Sequence, residues 1–226
     1  MKKTLCALTM LSATSVPVMA AGLDLTVGGT IDPVACALSL PGGTTVNYGV
    51  IDPSLLSVTS YTTLQEIQIN IALNCSAPTK MALKAVNRRP GTMAGVSEDG
   101  NGISRAPVSL FSASDTDGVG LGVDGSKKIG GYGLRLAPGT LTVDGKTVDL
   151  IRYGTPAWVP TASGSLYVQN EVRFVSWANP GTVIPIAFQS MAGKIGVQAY
   201  INKKSELDLN NVIKLDGLTA LELVYL

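Results

Sequence analysis

Histidine is absent from these 226 residues, aromatic residues reach only 5%, charged residues only 15%, and there are three cysteines. Each shortage removes a class of function. Without an imidazole no Ser-His-Asp or Cys-His arrangement can be built, and a zinc site would have to recruit carboxylates beside two or three thiols. Gly-x-Ser-x-Gly and a Ser-x-x-Lys motif opening a helix are missing as well. The carboxylate pairs Glu98-Asp99 and Asp115 with Asp117 sit in Gly- and Ser-rich surroundings, where they read as solvated loop groups rather than an acid-base couple. Asp115-Thr116-Asp117-Gly118 does not compose a calcium loop, because Val119 stands where an oxygen ligand belongs and no distal glutamate follows. The expectation is a protein that is not an enzyme and carries neither cofactor nor metal.

Basic patches are scarce too. Arg88-Arg89 and Lys127-Lys128 are isolated pairs, which excludes the clustered footprint of a nucleic-acid binder. One apolar run stands out, Leu5 to Val18. It is preceded by Lys2 and Lys3, broken by Thr9, Ser12, Thr14, Ser15 and Pro17, and followed by Val18-Met19-Ala20. That is the pattern of a cleaved secretory signal over residues 1–20, and it is shorter than the roughly 20 apolar residues of a membrane span. Cys6 is expected to leave with the signal. Removing Lys2 and Lys3 from the 17 basic residues leaves them one short of the 16 acidic ones, so the exported protein is close to neutral.

Cys36 and Cys75 then remain, and in an oxidising compartment they most simply form one disulfide. The chain is also rich in Gly (25) and Pro (12), which suits short strands and turns. The dominant period is two. Ile67, Ile69, Ile71, Leu73 and Cys75 alternate with polar or small partners, predicting a strand from Leu64 with one buried face. Met81 to Val86 is expected to pair beyond a turn at Ala77-Pro78. Further strands are predicted at 45–51, 132–136, 165–175, 183–188 and 196–201, with two short pieces within 205–216 and a last strand at 218–226. Asp144-Gly145 between Leu141-Thr142-Val143 and Lys146-Thr147-Val148 predicts a type I′ hairpin. Residues 87–131 read as a loop-rich insertion with apolar islands at 108–111 and 119–123. The sum is an all-β sandwich occupying residues 21–226 as a single domain.

The stretch Gly28-Gly29-Thr30-Ile31-Asp32-Pro33-Val34-Ala35-Cys36, the Val-x-Tyr-Gly at 46–49, the Ile-x-Leu-x-Cys at 71–75 and the closing Leu221-Glu222-Leu223-Val224-Tyr225-Leu226 together resemble chaperone-usher pilins. Gly130-Gly131-Tyr132-Gly133-Leu134 and Val143-Asp144-Gly145-Lys146 resemble a group of pilin-like periplasmic proteins of Gram-negative bacteria. The resemblance implies an immunoglobulin-like, pilin-type β-sandwich lacking its last strand, with the disulfide joining its first two strands. It also implies partners: a periplasmic pilus chaperone and an outer-membrane usher, then neighbouring pilin subunits, each adding a strand to an exposed groove. Contact residues would be Leu221, Leu223, Tyr225 and Leu226. Leu23, Leu25 and Val27 would be the segment donated to a neighbour, although it is short. The expected place is the periplasm or a fimbrium. Two other readings stay open: a solitary periplasmic binding protein whose amino-terminal strand or 205–216 region closes its own groove, and a tip adhesin that stacks a glycan on Trp158, Trp177, Tyr153 or Tyr167.

Overall fold

A computed structural model describes residues 27–28 and 33–226. The signal region and the donor residues Leu23 and Leu25 lie outside the described residues, and Val27 is described outside any strand. Residues 34–226 form one compact unit. Its first strands are β1 (Cys36–Ser39), β2 (Thr62–Thr63), β3 (Ile67–Asn87), β4 (Ser104–Arg105), β5 (Asp117–Gly120), β6 (Val123–Asp124), β7 (Lys127–Lys128) and β8 (Gly130–Leu136). They are followed by β9 (Thr142–Val143), β10 (Lys146–Thr147), β11 (Asp149–Gly154), β12 (Ala157–Pro160), β13 (Val175–Ala178), β14 (Ala187–Ile201) and β15 (Thr219–Tyr225). Among the described residues the helical elements are two 3₁₀ turns, Pro53–Leu55 and Lys204–Glu206, and no helix is long and apolar enough to cross a membrane.

Thirteen strands join into one curled sheet, with β6 and β7 apart as a small ribbon. The curl comes from β3, whose 21 residues belong to both layers. Its first half lies between β1 and β14, and its second half pairs with β15 and touches β13. The expected turn at Ala77-Pro78 is therefore a corner in one continuous strand. The β14 register shifts between Phe188 and Ser190, from Thr79 to Asn74 on the opposite side, so residues 75–78 bulge out of the ladder. Proline, which has no N–H to give, is tolerated where a bulge interrupts pairing. This corner folds the sheet onto itself as a β-sandwich.

The inward faces supply the core. Ile71 and Leu73 from one layer meet Leu83, Val175 and Trp177 from the other, all buried, and Trp177 packs edge-on against Phe188 with ring centroids 5.3 Å apart. The hairpin forms as expected: Thr142 pairs with Thr147 across Asp144 (φ 47°) and Gly145 (φ 75°). Gly131 in β8 leaves the space that Tyr200 occupies, since a Cβ there would stand 2.7 Å from the ring. Residues 87–131 are more than loops. β5 pairs with β8, Val119 and Leu121 enter the main core, and Met93, Ala94, Ala106, Leu110 and Tyr200 form a second small core.

Four strand expectations need correction. Residues 45–51 form no strand and make no backbone–backbone hydrogen bond among the described residues, and Gly49 interrupts them with φ 68°. Most of 165–175 is irregular, with an isolated bridge between Arg135 and Ser165 and the Gln169 amide held by Asp117, and the strand starts only at Val175. Of 183–188 only Ala187 and Phe188 fall in a strand, at the start of β14, with Pro185 held by an isolated bridge to Ala178, whereas 196–201 is strand as expected and forms the last part of β14. The 205–216 stretch holds the end of a 3₁₀ turn and irregular chain rather than two strands.

Candidate functional site

β15 pairs along β3 from Thr219↔Asn87 to Tyr225↔Met81 and, among the described residues, with no other strand. Strand alternation sends Thr219, Leu221, Leu223 and Tyr225 to the core side. Glu222 on the opposite side bonds Lys84 at 2.9 Å and Arg88 at 3.3 Å. Lys80 pairs with Ala187 of β14 and accepts from the Leu226 amide, so β15 runs on the edge of β3 opposite β14. Ala72 to Asn74 likewise pair with β14 and with β1, which puts β1 on that same edge. The two strands lie end to end there. Tyr225 fastens the joint, its hydroxyl donating to the Val34 carbonyl and accepting from the Cys36 amide, each at 3.2 Å. Cys36 sits directly opposite Cys75 and the disulfide forms. Such a bond suits an oxidising compartment.

Beside this edge the sandwich is open. One rim is the segment 44–51, the other is 209–221, and the floor is Ile69, Leu134, Ile195 and Val197. The groove has two cells. One, of about 370 Å³, is bordered by Leu40, Ile69 and Leu221. The other, of about 690 Å³, is bordered by Ile51, Leu56, Leu209 and Ile213. Thr45, Val46, Tyr48 and Leu215 border both. On its borders, Val50 is fully exposed, Val212 is 85% exposed and Leu218 is 46% exposed. Contiguous exposed aliphatic surface of this kind marks an interaction site. Within the described residues, neither 44–51 nor 208–215 makes a backbone–backbone hydrogen bond, and of their amides those of Gly49 and Asn210 donate to the Asn47 and Asp208 side chains.

Two devices hold the rims. Tyr48 crosses from its rim to β14, where its hydroxyl donates to the Val197 carbonyl and accepts from the Ala199 amide, each at 3.1 Å. Burial pushes this phenol up to about 12, so it stays protonated. Tyr48→Phe would leave the Ala199 amide without its partner and should cost about 1 to 2 kcal/mol in urea unfolding, with the fold retained. The other rim is tied at Asp216, whose carboxylate accepts from Arg89 Nε and Nη2 at 2.9 and 3.0 Å and whose amide donates to the Leu121 carbonyl. The Arg89 guanidinium holds the Asp216 carboxyl below the usual range.

At the β15 end of the smaller cell three hydroxyls meet. Thr219 Oγ1 lies 2.6 Å from the Tyr132 hydroxyl and 2.6 Å from the Tyr167 hydroxyl. Burial raises both phenols above their ordinary range, so all three groups remain O–H. Tyr132 and Thr219 border the cell, and Tyr167 lies behind them in the core.

Of the residues expected to meet a partner, Leu221 lines the groove and Leu223 is half-buried against the core. Tyr225 and Leu226 are 54% and 52% exposed at the strand end. The aromatic stretch does not converge: Trp177 and Tyr167 are core, which removes them from any glycan surface, while Tyr153 and Trp158 pair edge to face on the β11–β12 hairpin. Asp115 pairs with Arg105, and Asp117 accepts from the Gln169 amide. Glu98 accepts from the Gly91 and Met93 amides, and Asp99 from those of Asn101 and Ile103, so this pair caps loops. No group of three or more metal-ligating side chains is placed to hold an ion among the described residues. Sequence reasoning misses Thr219 and the tying role of Tyr48. The signal for Thr219 is the same i, i+2 spacing that picks out Leu221.

Residues 25–133 match the family described as "Protein of unknown function (DUF1120)". The chain is similar to Protein GltF of Escherichia coli (strain K12), 27% identical over 226 residues covering 90% of this chain and 88% of that protein. It is also similar to the uncharacterized protein YhcF of the same organism, 26% identical over 212 residues covering 87% of each. No solved structure gives a significant match.

Proposed function

We propose that this protein is a non-catalytic, fimbrial-type structural or minor subunit, exported to the periplasm and completed there by a strand from another chain. The observation that supports the reading is the groove: an apolar floor between two rims that, among the described residues, make no backbone–backbone hydrogen bond over 44–51 and 208–215. An extended segment laid into it would bond both rims through its main chain while its alternate side chains enter the cells, which is strand addition. Left empty, such an edge is an aggregation hazard, so a periplasmic chaperone would hold it first. An usher would then exchange the chaperone for the amino-terminal segment of a neighbouring subunit, with Leu23, Leu25 and Val27 as its apolar residues.

Co-expression with a pilus-type periplasmic chaperone tests this. The expected result is a one-to-one complex that is lost on deleting residues 218–226, which removes β15. A stable monomer that takes up neither the chaperone nor a synthetic peptide copying residues 21–33 would overturn it.

A further inference from the structure

The two rims are fastened unequally. The 209–221 rim has the Arg89–Asp216 ion pair, the bond from the Asp216 amide to Leu121 and the ladder of β15. The 44–51 rim, among the described residues, is hydrogen-bonded to the rest of the protein through Tyr48 alone, and only Tyr48 and Ile51 of it pack against the core. Glycines stand on both sides of that tyrosine. Gly42 and Gly43 have φ 102° and 113°, Gly49 has φ 68°, and no atom lies within 4 Å of the Cβ position of any of them. Glycine crosses between positive and negative φ at little cost, so the chain can pivot at both places without disturbing any packing.

Tyr48 also obstructs the groove. It borders both cells, and its side chain runs from the rim to Val197 and Ala199 on β14, the strand that supplies Ile195 and Val197 to the floor. A strand laid on the floor from one cell to the other would have to pass through the tyrosine ring. We infer that residues 44–48 are a strap latched across the groove by the Tyr48 hydroxyl, and that the strap swings out on its glycines before a donor strand seats.

The inference rests on the strand-addition reading and adds a gate to it. With the latch closed, a short apolar segment finds one cell at a time, and only the open strap offers the whole groove. Affinity and association rate are then both reduced by the fraction of time the strap is open. Opening breaks the two bonds of one hydroxyl and leaves the paired strands intact, which makes it a local event, far easier than unfolding. Loss of the hydroxyl should raise the open fraction about fivefold, because the Ala199 amide is left unmet only in the closed form.

Two measurements on the purified protein test the strap. Amide hydrogen exchange reads the latch without any substitution, since the Tyr48 oxygen is the acceptor of the Ala199 amide. That amide is expected to exchange at least on the order of 100-fold faster than the stability from urea unfolding allows. Exchange only through global unfolding overturns the inference. Stopped-flow anisotropy then follows uptake of a fluorescent peptide copying residues 21–33. Y48F is expected to associate about fivefold faster than the wild-type protein, with a smaller change in dissociation rate. Equal association rates overturn the inference while leaving strand addition intact. Failure of the wild-type protein to bind the peptide overturns both.

Discussion

Leu221→Arg is expected to abolish uptake of a donor strand, weakening binding of the 21–33 peptide by at least on the order of 100-fold, while the protein alone stays folded. Leu221 borders the smaller cell and is only half-buried, so an arginine there can extend along the groove and keep its guanidinium in water. A strand laid over it would strip that water away. Burying an unpaired charge costs several kcal/mol, more than the apolar contacts of a single pocket return. Glu222→Gln is the matched control. Glu222 lies one residue along, on the opposite face with Lys84 and Arg88, and its ion pairs are exposed enough to contribute little. Peptide affinity should be unchanged in E222Q. Equal losses in both variants would mean that β15 responds as a whole edge, and that no groove face distinguishes its two sides.

The contrast between Leu221 and Glu222 is legible in the sequence alone, because strand alternation needs only a period of two. So is the disulfide, since Cys75 closes the longest alternating run. Legibility fails where pairing, and not side-chain pattern, decides the element. Residues 45–51 have strand-like residues, yet among the described residues they make no backbone–backbone hydrogen bond. Ala77-Pro78 has turn-like residues, yet it marks a bulge through which β3 passes from one layer to the other. Val119 and Leu121 read as islands in a polar insertion because local composition cannot show that β8 offers them an edge. A groove follows from the family resemblance, but its division by Tyr48 does not. A tyrosine whose hydroxyl bridges Val197 and Ala199, about 150 positions away in sequence, leaves no short-range signal.

Removing the disulfide with Cys36→Ala and Cys75→Ala together is expected to lower stability by about 4 kcal/mol, on the loop-closure estimate for a bridge spanning 39 positions. At roughly 2 to 4 °C per kcal/mol for a domain of this size, the melting temperature should fall by on the order of 10 °C. The same substitution should weaken peptide binding, and the reason is local. β1 is four residues long and among the described residues its ladder is with β3 alone, so the covalent bridge at Cys36 is the strongest fastening of that strand. Leu40 and the 44–51 rim continue directly from it, and Val34 and Cys36 are where Tyr225 anchors the end of β15. Loosening β1 therefore frees both borders of the groove at their shared end. A strand that must first order those borders pays their conformational entropy on binding. Urea unfolding and anisotropy on one preparation separate the two effects. A stability loss below about 1 kcal/mol would refute the loop-closure argument, and unchanged peptide affinity beside a large stability loss would show that the rims are held by Tyr48 and Arg89–Asp216 without help from the bridge.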